Sequence, residues 1–179
     1  MLMGNTAAAA AFVLMVGACG CPYESSTPLG APGPVDVDPA LVGEWRCQDP
    51  GSSPPEAILR IFRFDAAQYV VETSGAGEGD SPERYRAYGT RAGTSVLLNV
   101  RELTLSSTPS APDHPAEPRW AFARYRIDPA GQLKVWMVCE DSLKNLTEKD
   151  ALDSILARAS DDALYDEPLV CTRLRGREQ

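Results

Sequence analysis

From residue 41 onward, apolar and polar side chains alternate in short runs broken by turn residues. Residues 41–48 form the first run. Residues 57–64, Ala57-Ile58-Leu59-Arg60-Ile61-Phe62-Arg63-Phe64, are β-branched and aromatic with partial alternation, the signature of a strand. A turn at 65–68 returns the chain into 69–73, which predicts a hairpin. Residues 85–91 and 95–105 make a second hairpin around Gly93, which can supply a positive φ. Residues 120–128 and 133–140 make a third around Pro129-Ala130-Gly131. The Gly-rich 74–82 and the Pro-rich 106–118 read as loops, and 169–174 as a last strand after Pro168. One segment has the helical period instead. Thr147 is placed to cap it, Glu148 and Asp150 suit its first turn, and Leu152, Ile155, Leu156 and Ala159 mark one face. The pattern predicts an all-β, mainly antiparallel fold of about eight strands, with a C-terminal helix before the last strand. Antiparallel meanders of that size avoid exposed edges by closing into a barrel.

The first residues follow a different rule. Met1 to Tyr23 is uncharged and holds an apolar run at 7–16. Such a run suits the centre of an export signal and is short of the roughly 20 apolar residues of a membrane-spanning helix. It ends in Val16-Gly17-Ala18-Cys19, small residues abutting a cysteine, which resembles the bacterial lipobox. That resemblance implies cleavage before Cys19, acylation of Cys19 and a membrane anchor, since each buried methylene adds about 0.8 kcal/mol of membrane affinity. Gly20 after the cysteine implies, by resemblance to enteric sorting rules, the outer membrane, with the protein facing the periplasm or the cell surface. Residues 20–39 are rich in Gly, Pro, Ser and Thr without apolar periodicity and read as a semi-extended tether. The expected organisation is a signal peptide at 1–18, a lipid-bearing tether at 19–39 and a single domain at 40–179.

Charge narrows the partners. A net charge of −8 argues against nucleic acid. The distribution is uneven. Residues 84–126 are arginine-rich, 140–167 are acidic, and Arg173, Arg175 and Arg177 close the chain. These charges read as solvated faces or, alternatively, as a basic sheet face for an anionic partner or lipid headgroups.

Gly43-Glu44-Trp45 in the first strand resembles the Gly-x-Trp of lipocalins. The resemblance implies a barrel with Trp45 at its base and an arginine of the last strand stacked on it, for which Arg173 is the match. The wider pattern of Phe64-Asp65, Gln68-Tyr69, Arg86-Ala87-Tyr88-Gly89-Thr90, Arg119-Trp120 and Arg124-Tyr125 is similar to a group of uncharacterised bacterial lipoproteins, which carries no activity with it.

With Cys19 acylated, Cys21, Cys47, Cys139 and Cys171 remain, an even set in an oxidising compartment. A closed barrel makes its first and last strands neighbours, which favours a Cys47–Cys171 bridge. Cys139, on the preceding strand, competes for Cys171. No Cys-x-x-Cys spacing suggests a metal. His114, the one histidine, lies in a Pro-rich loop and is a poor centre for nucleophilic catalysis. No phosphate loop, dinucleotide fingerprint or nucleophile elbow implies a cofactor or a reaction.

Three functions stay open. An eight-stranded barrel has room for its own side chains or one small ligand. The chain then reads as a non-catalytic binding module, with Trp45, Phe62, Phe64, Tyr88, Trp120, Phe122 and Trp136 lining an apolar pocket. Those aromatics could instead fill the barrel, leaving a structural lipoprotein that docks on another envelope protein. An envelope hydrolase, resting on paired acids such as Glu140-Asp141 or Asp161-Asp162, is the distant third.

Overall fold

The computed structural model describes residues 21–48, 57–75, 82–103 and 119–174. Eight antiparallel strands close into a barrel: β2 (Gly43–Gln48), β3 (Ala57–Arg63), β4 (Gln68–Ser74), β5 (Glu83–Ala92), β6 (Ser95–Glu102), β7 (Trp120–Ile127), β8 (Leu133–Met137) and β9 (Leu169–Arg173). Each strand pairs with the next to β9, and β9 pairs back onto β2. A ninth strand, β1 (Glu24–Ser25), pairs with Trp120 and Ala121 of β7, just beyond the point where β8 stops. The architecture is compatible with a lipocalin-like fold.

The hairpins form where turn chemistry allows. Gly93 (φ 59°) and Gly131 (φ 82°) take the left-handed conformation at the β5–β6 and β7–β8 turns. The β7–β8 turn is held further by Asp128, whose carboxylate accepts from the N–H of Ala130 and Gln132. The strand expected to run to residue 140 ends at Met137. Val138 then bridges to Tyr165 and Cys139 to Pro22.

Helix α1 (Glu148–Ala157) begins as expected, with the Thr147 hydroxyl accepting from the N–H of Asp150. It lies outside the barrel. Ala151 and Ile155, with Ala159 beyond the helix end, pack on the outward side chains Leu97 and Phe122 and on Val138 and Leu164. Burying a residue such as Ile155 contributes about 1.5–3 kcal/mol.

A second core lies inside the barrel, because the register gives every strand one inward face. Trp45, Cys47, Ile61, Tyr69, Ala87, Leu133, Leu169 and Cys171 form it with Leu41. The first and last strands are joined by the Cys47–Cys171 disulfide, directly opposed in the β2–β9 register. The alternative partner, Cys139, lies past the end of β8, where Leu133 rather than Cys139 faces Cys171.

The tether expected from residue 20 takes another form in the described part. Residues 21–40 lie along the barrel as a strap. Its Gly- and Pro-rich backbone finds partners on barrel side chains: the N–H of Leu29 donates to Asn99 Oδ1 (2.8 Å), and Gly30 O accepts from the Tyr88 hydroxyl (2.6 Å). The strap then crosses the end of the barrel that carries the three hairpin turns. There Val35 meets Gly89, and Val37 and Leu41 join the inner core. A polar, aperiodic segment is ordered here because barrel groups satisfy its backbone.

Candidate functional site

The base of the barrel is the strap end. Trp45 is fully buried, and its Nε1–H donates to Leu41 O (2.9 Å). The Arg173 guanidinium lies 4.5 Å from the centre of the Trp45 ring and donates to Ala40 O. Gly43 has φ +149°, and a Cβ there would stand 3.3 Å from Arg173 Nη1. The structure thus brings Gly43, Trp45 and Arg173 together. A depression of about 810 Å³ opens beside them, with Ile127 and Gln132 on its far wall.

Above this base the strap is pinned through Asp38. Its N–H donates to the Tyr69 hydroxyl (2.6 Å), and its carboxylate accepts from the Tyr125 hydroxyl (3.1 Å). Burial, and then the Asp38 charge, pushes the Tyr125 phenol well above its ordinary range. Burial also raises the Tyr69 phenol.

Around the Trp45 core the inner wall is packed less tightly. The register turns Leu59, Val71, Thr73, Leu98, Val100 and Val135 inward, yet each stays partly accessible. The side chains between them are small: Ala87, Ala121 and Ala123 are all inward and buried. Ala121, Ala123 and Met137 make a small cluster, joined to the Trp45 core through Leu98 and Val135. Tyr85 faces inward at the rim, donating its hydroxyl to Glu83 (2.5 Å). Burial first, and the Glu83 bond second, raise its phenol far above the usual range.

The aromatics expected beside Trp45 point the other way. Phe62 and Phe64 are 47% and 57% exposed on the outside of β3 and just after it. Tyr88 and Trp120 meet edge to face on the outer surface, their rings 5.5 Å apart and 76° inclined. Phe122 is buried outside the barrel against α1 and stacks with Tyr23, and Trp136 faces Arg124 at 4.7 Å. These six residues therefore do not line one interior pocket with Trp45. For those on β5 to β8, a cover on both faces erased the alternation that would have sorted them: α1 and the strap bury the outside there, so both faces read as apolar.

Asn99 and Asp38 went unnoticed in the sequence. Asn99 is fully buried, accepts from Leu29, and donates to Thr90 Oγ1 (2.8 Å) and Tyr88 O. An amide alone in Leu97-Leu98-Asn99-Val100 was the available signal, because a buried amide needs partners. The lipobox residues Val16, Gly17, Ala18 and Cys19, and likewise His114, lie outside the described residues. Among the described residues, no group of three or more His, Cys, Asp or Glu side chains is placed to hold a metal ion.

A scan of family models and searches of curated proteins and of solved structures returned no match.

Proposed function

We propose that this chain is a lipid-anchored protein of the cell envelope whose barrel is a non-catalytic binding module for a small apolar ligand. One observation carries the pocket. Apolar side chains packed around the Trp45 core face inward and stay partly accessible, while alanines at 87, 121 and 123 keep the wall thin. A wall of that kind, over a base closed by Trp45 and the strap, suits a mostly apolar guest. The anchor rests on the sequence alone, on the run at 7–16 and Val16-Gly17-Ala18-Cys19. With residues 21–40 laid on the barrel, acyl chains on Cys19 would hold the domain close to the bilayer rather than on a long free leash.

Native mass spectrometry of the full chain, released from membranes in mild detergent, tests both parts. The expected spectrum carries an acyl mass on Cys19 and a further small-molecule adduct. The adduct should be lost in Ala121→Leu, which narrows the interior. A chain recovered from the cytosol with Met1 intact and no acyl mass would overturn the anchor. An adduct-free barrel that crosslinks in membranes to one fixed protein would overturn the pocket in favour of a docking role.

A further inference from the structure

A second site stands on the outside of the barrel, independent of what the interior holds. Arg86 of β5 and Arg101 of β6 are direct partners in the register. Like charges placed opposite one another destabilise a sheet unless something compensates. Among the described residues, neither guanidinium has a carboxylate at ion-pair distance, whereas Arg60, Arg84, Arg119, Arg124, Lys149 and Arg158 each do. Arg86 Nε is buried with no hydrogen-bond partner among the described residues. Asp65 lies near enough for its charge to feel Arg86, but it is held by the Ala67 N–H and by Gln68 Nε2.

The two cations are instead positioned by aromatic rings. Arg86 Cζ lies 4.2 Å from the centre of the Phe64 ring, and Arg101 Cζ lies 5.0 Å from that of Trp120. Between them and strap residues 28–32 is a cavity of about 410 Å³, walled by Pro28, Pro32 and Trp120 and carrying the Gln68 amide beside the two guanidiniums. Planar donor forks bind tetrahedral or planar oxyanions through paired N–H bonds. Two positive charges with no carboxylate at ion-pair distance among the described residues match a dianion better than a single carboxylate, and the apolar walls accept an organic substituent.

We infer that this cavity binds a phosphate-type dianion with an apolar body, carried either by a phosphorylated solute or by a lipid headgroup. Isothermal titration of the full chain in zwitterionic detergent at low salt tests it, with phenyl phosphate, acetate and the water-soluble dihexanoylphosphatidic acid as probes. Saturable binding of phenyl phosphate is expected. It should weaken about tenfold or more in Arg86→Gln and in Arg101→Gln, in line with the loss of a charge-assisted bond. It should not change in Arg158→Gln, whose guanidinium pairs with Asp161 just after α1 and does not line the cavity. Unaltered thermal midpoints confirm that the variants fold, and Arg101→Lys, which keeps the charge and loses the fork, serves if Arg86→Gln does not. Binding of dihexanoylphosphatidic acid above phenyl phosphate assigns a lipid headgroup, and the reverse order assigns a solute. No saturable binding of either phosphate, acetate binding as tightly as phosphate, or affinity indifferent to Arg101→Gln would overturn the site.

Discussion

Gly43 shows why a three-residue motif can be legible in a chain of this kind. Its φ of +149° is one that L side chains rarely adopt, and a Cβ would press on the Arg173 guanidinium at 3.3 Å, so that it must give by a few tenths of an ångström. That guanidinium is fixed in turn by the Trp45 ring and by Ala40 O. Glycine, tryptophan and arginine are therefore one packing unit rather than three separate choices. Gly43→Ala is expected to cost about 1–3 kcal/mol, the usual size of such backbone strain plus displacement of the neighbour. The measurement is a fall in urea midpoint at constant m-value. A double variant, Gly43→Ala with Arg173→Ala, should lose less than the sum of the two single changes, because the clash disappears while the strained φ remains. Strict additivity would mean that the two side-chain positions are not coupled.

At the scale of elements, the strap is the piece that the residues concealed. Its composition reads as tether, and only the barrel side chains that meet it reveal its place. One of its holds is open to titration. The Glu148 carboxylate, at the start of α1, accepts from the hydroxyls of Ser25 and Ser26 and from the N–H of Thr27. Those bonds, the Ser25 hydroxyl foremost, hold the carboxyl below its ordinary value. A depressed carboxyl pKa contributes stability above the unfolded value, and that contribution is lost as pH falls through the lower folded value. The Thr27 amide resonance should accordingly shift with a midpoint below the ordinary glutamate value of about 4.3. Glu148→Ala should abolish that titration, and a Thr27 midpoint at or above the ordinary value would refute the contact. The strands were far easier to read than the strap. The second and third hairpins stand where Gly93 and Gly131 turn the chain, and α1 starts at its Thr147 cap. The facing of Tyr88, Phe122 and Trp136 was not legible. Which side of a strand is inward depends on what covers the other side, and here the covering comes from α1 and from the strap, remote in sequence.

For the whole molecule, closure is the property that matters, and it was legible because hairpins leave few alternatives. Once each strand pairs with its neighbour, only the β2–β9 seam joins the two ends of the domain, and the cysteines at 47 and 171 mark it. The bridge spans a sequence separation of 124 residues. In the chain-entropy account, a loop of that length removes about 4–5 kcal/mol of freedom from the unfolded chain, and observed losses on deleting native bridges run at about 2–5 kcal/mol. Cys47→Ala with Cys171→Ala should fall in that range, read as a lowered thermal midpoint with the far-ultraviolet dichroism of the folded state unchanged. The seam also has its own backbone ladder, from Trp45–Arg173 to Gln48–Val170, and the stacked Trp45–Arg173 pair at its foot. The cross-link and the ladder therefore act on different states, one limiting the unfolded ensemble and the other holding the native barrel. If the double variant lost its β dichroism outright, the bridge would be a condition of closure itself, and the seam's hydrogen bonds and the Trp45 base would be too weak to shut the barrel alone.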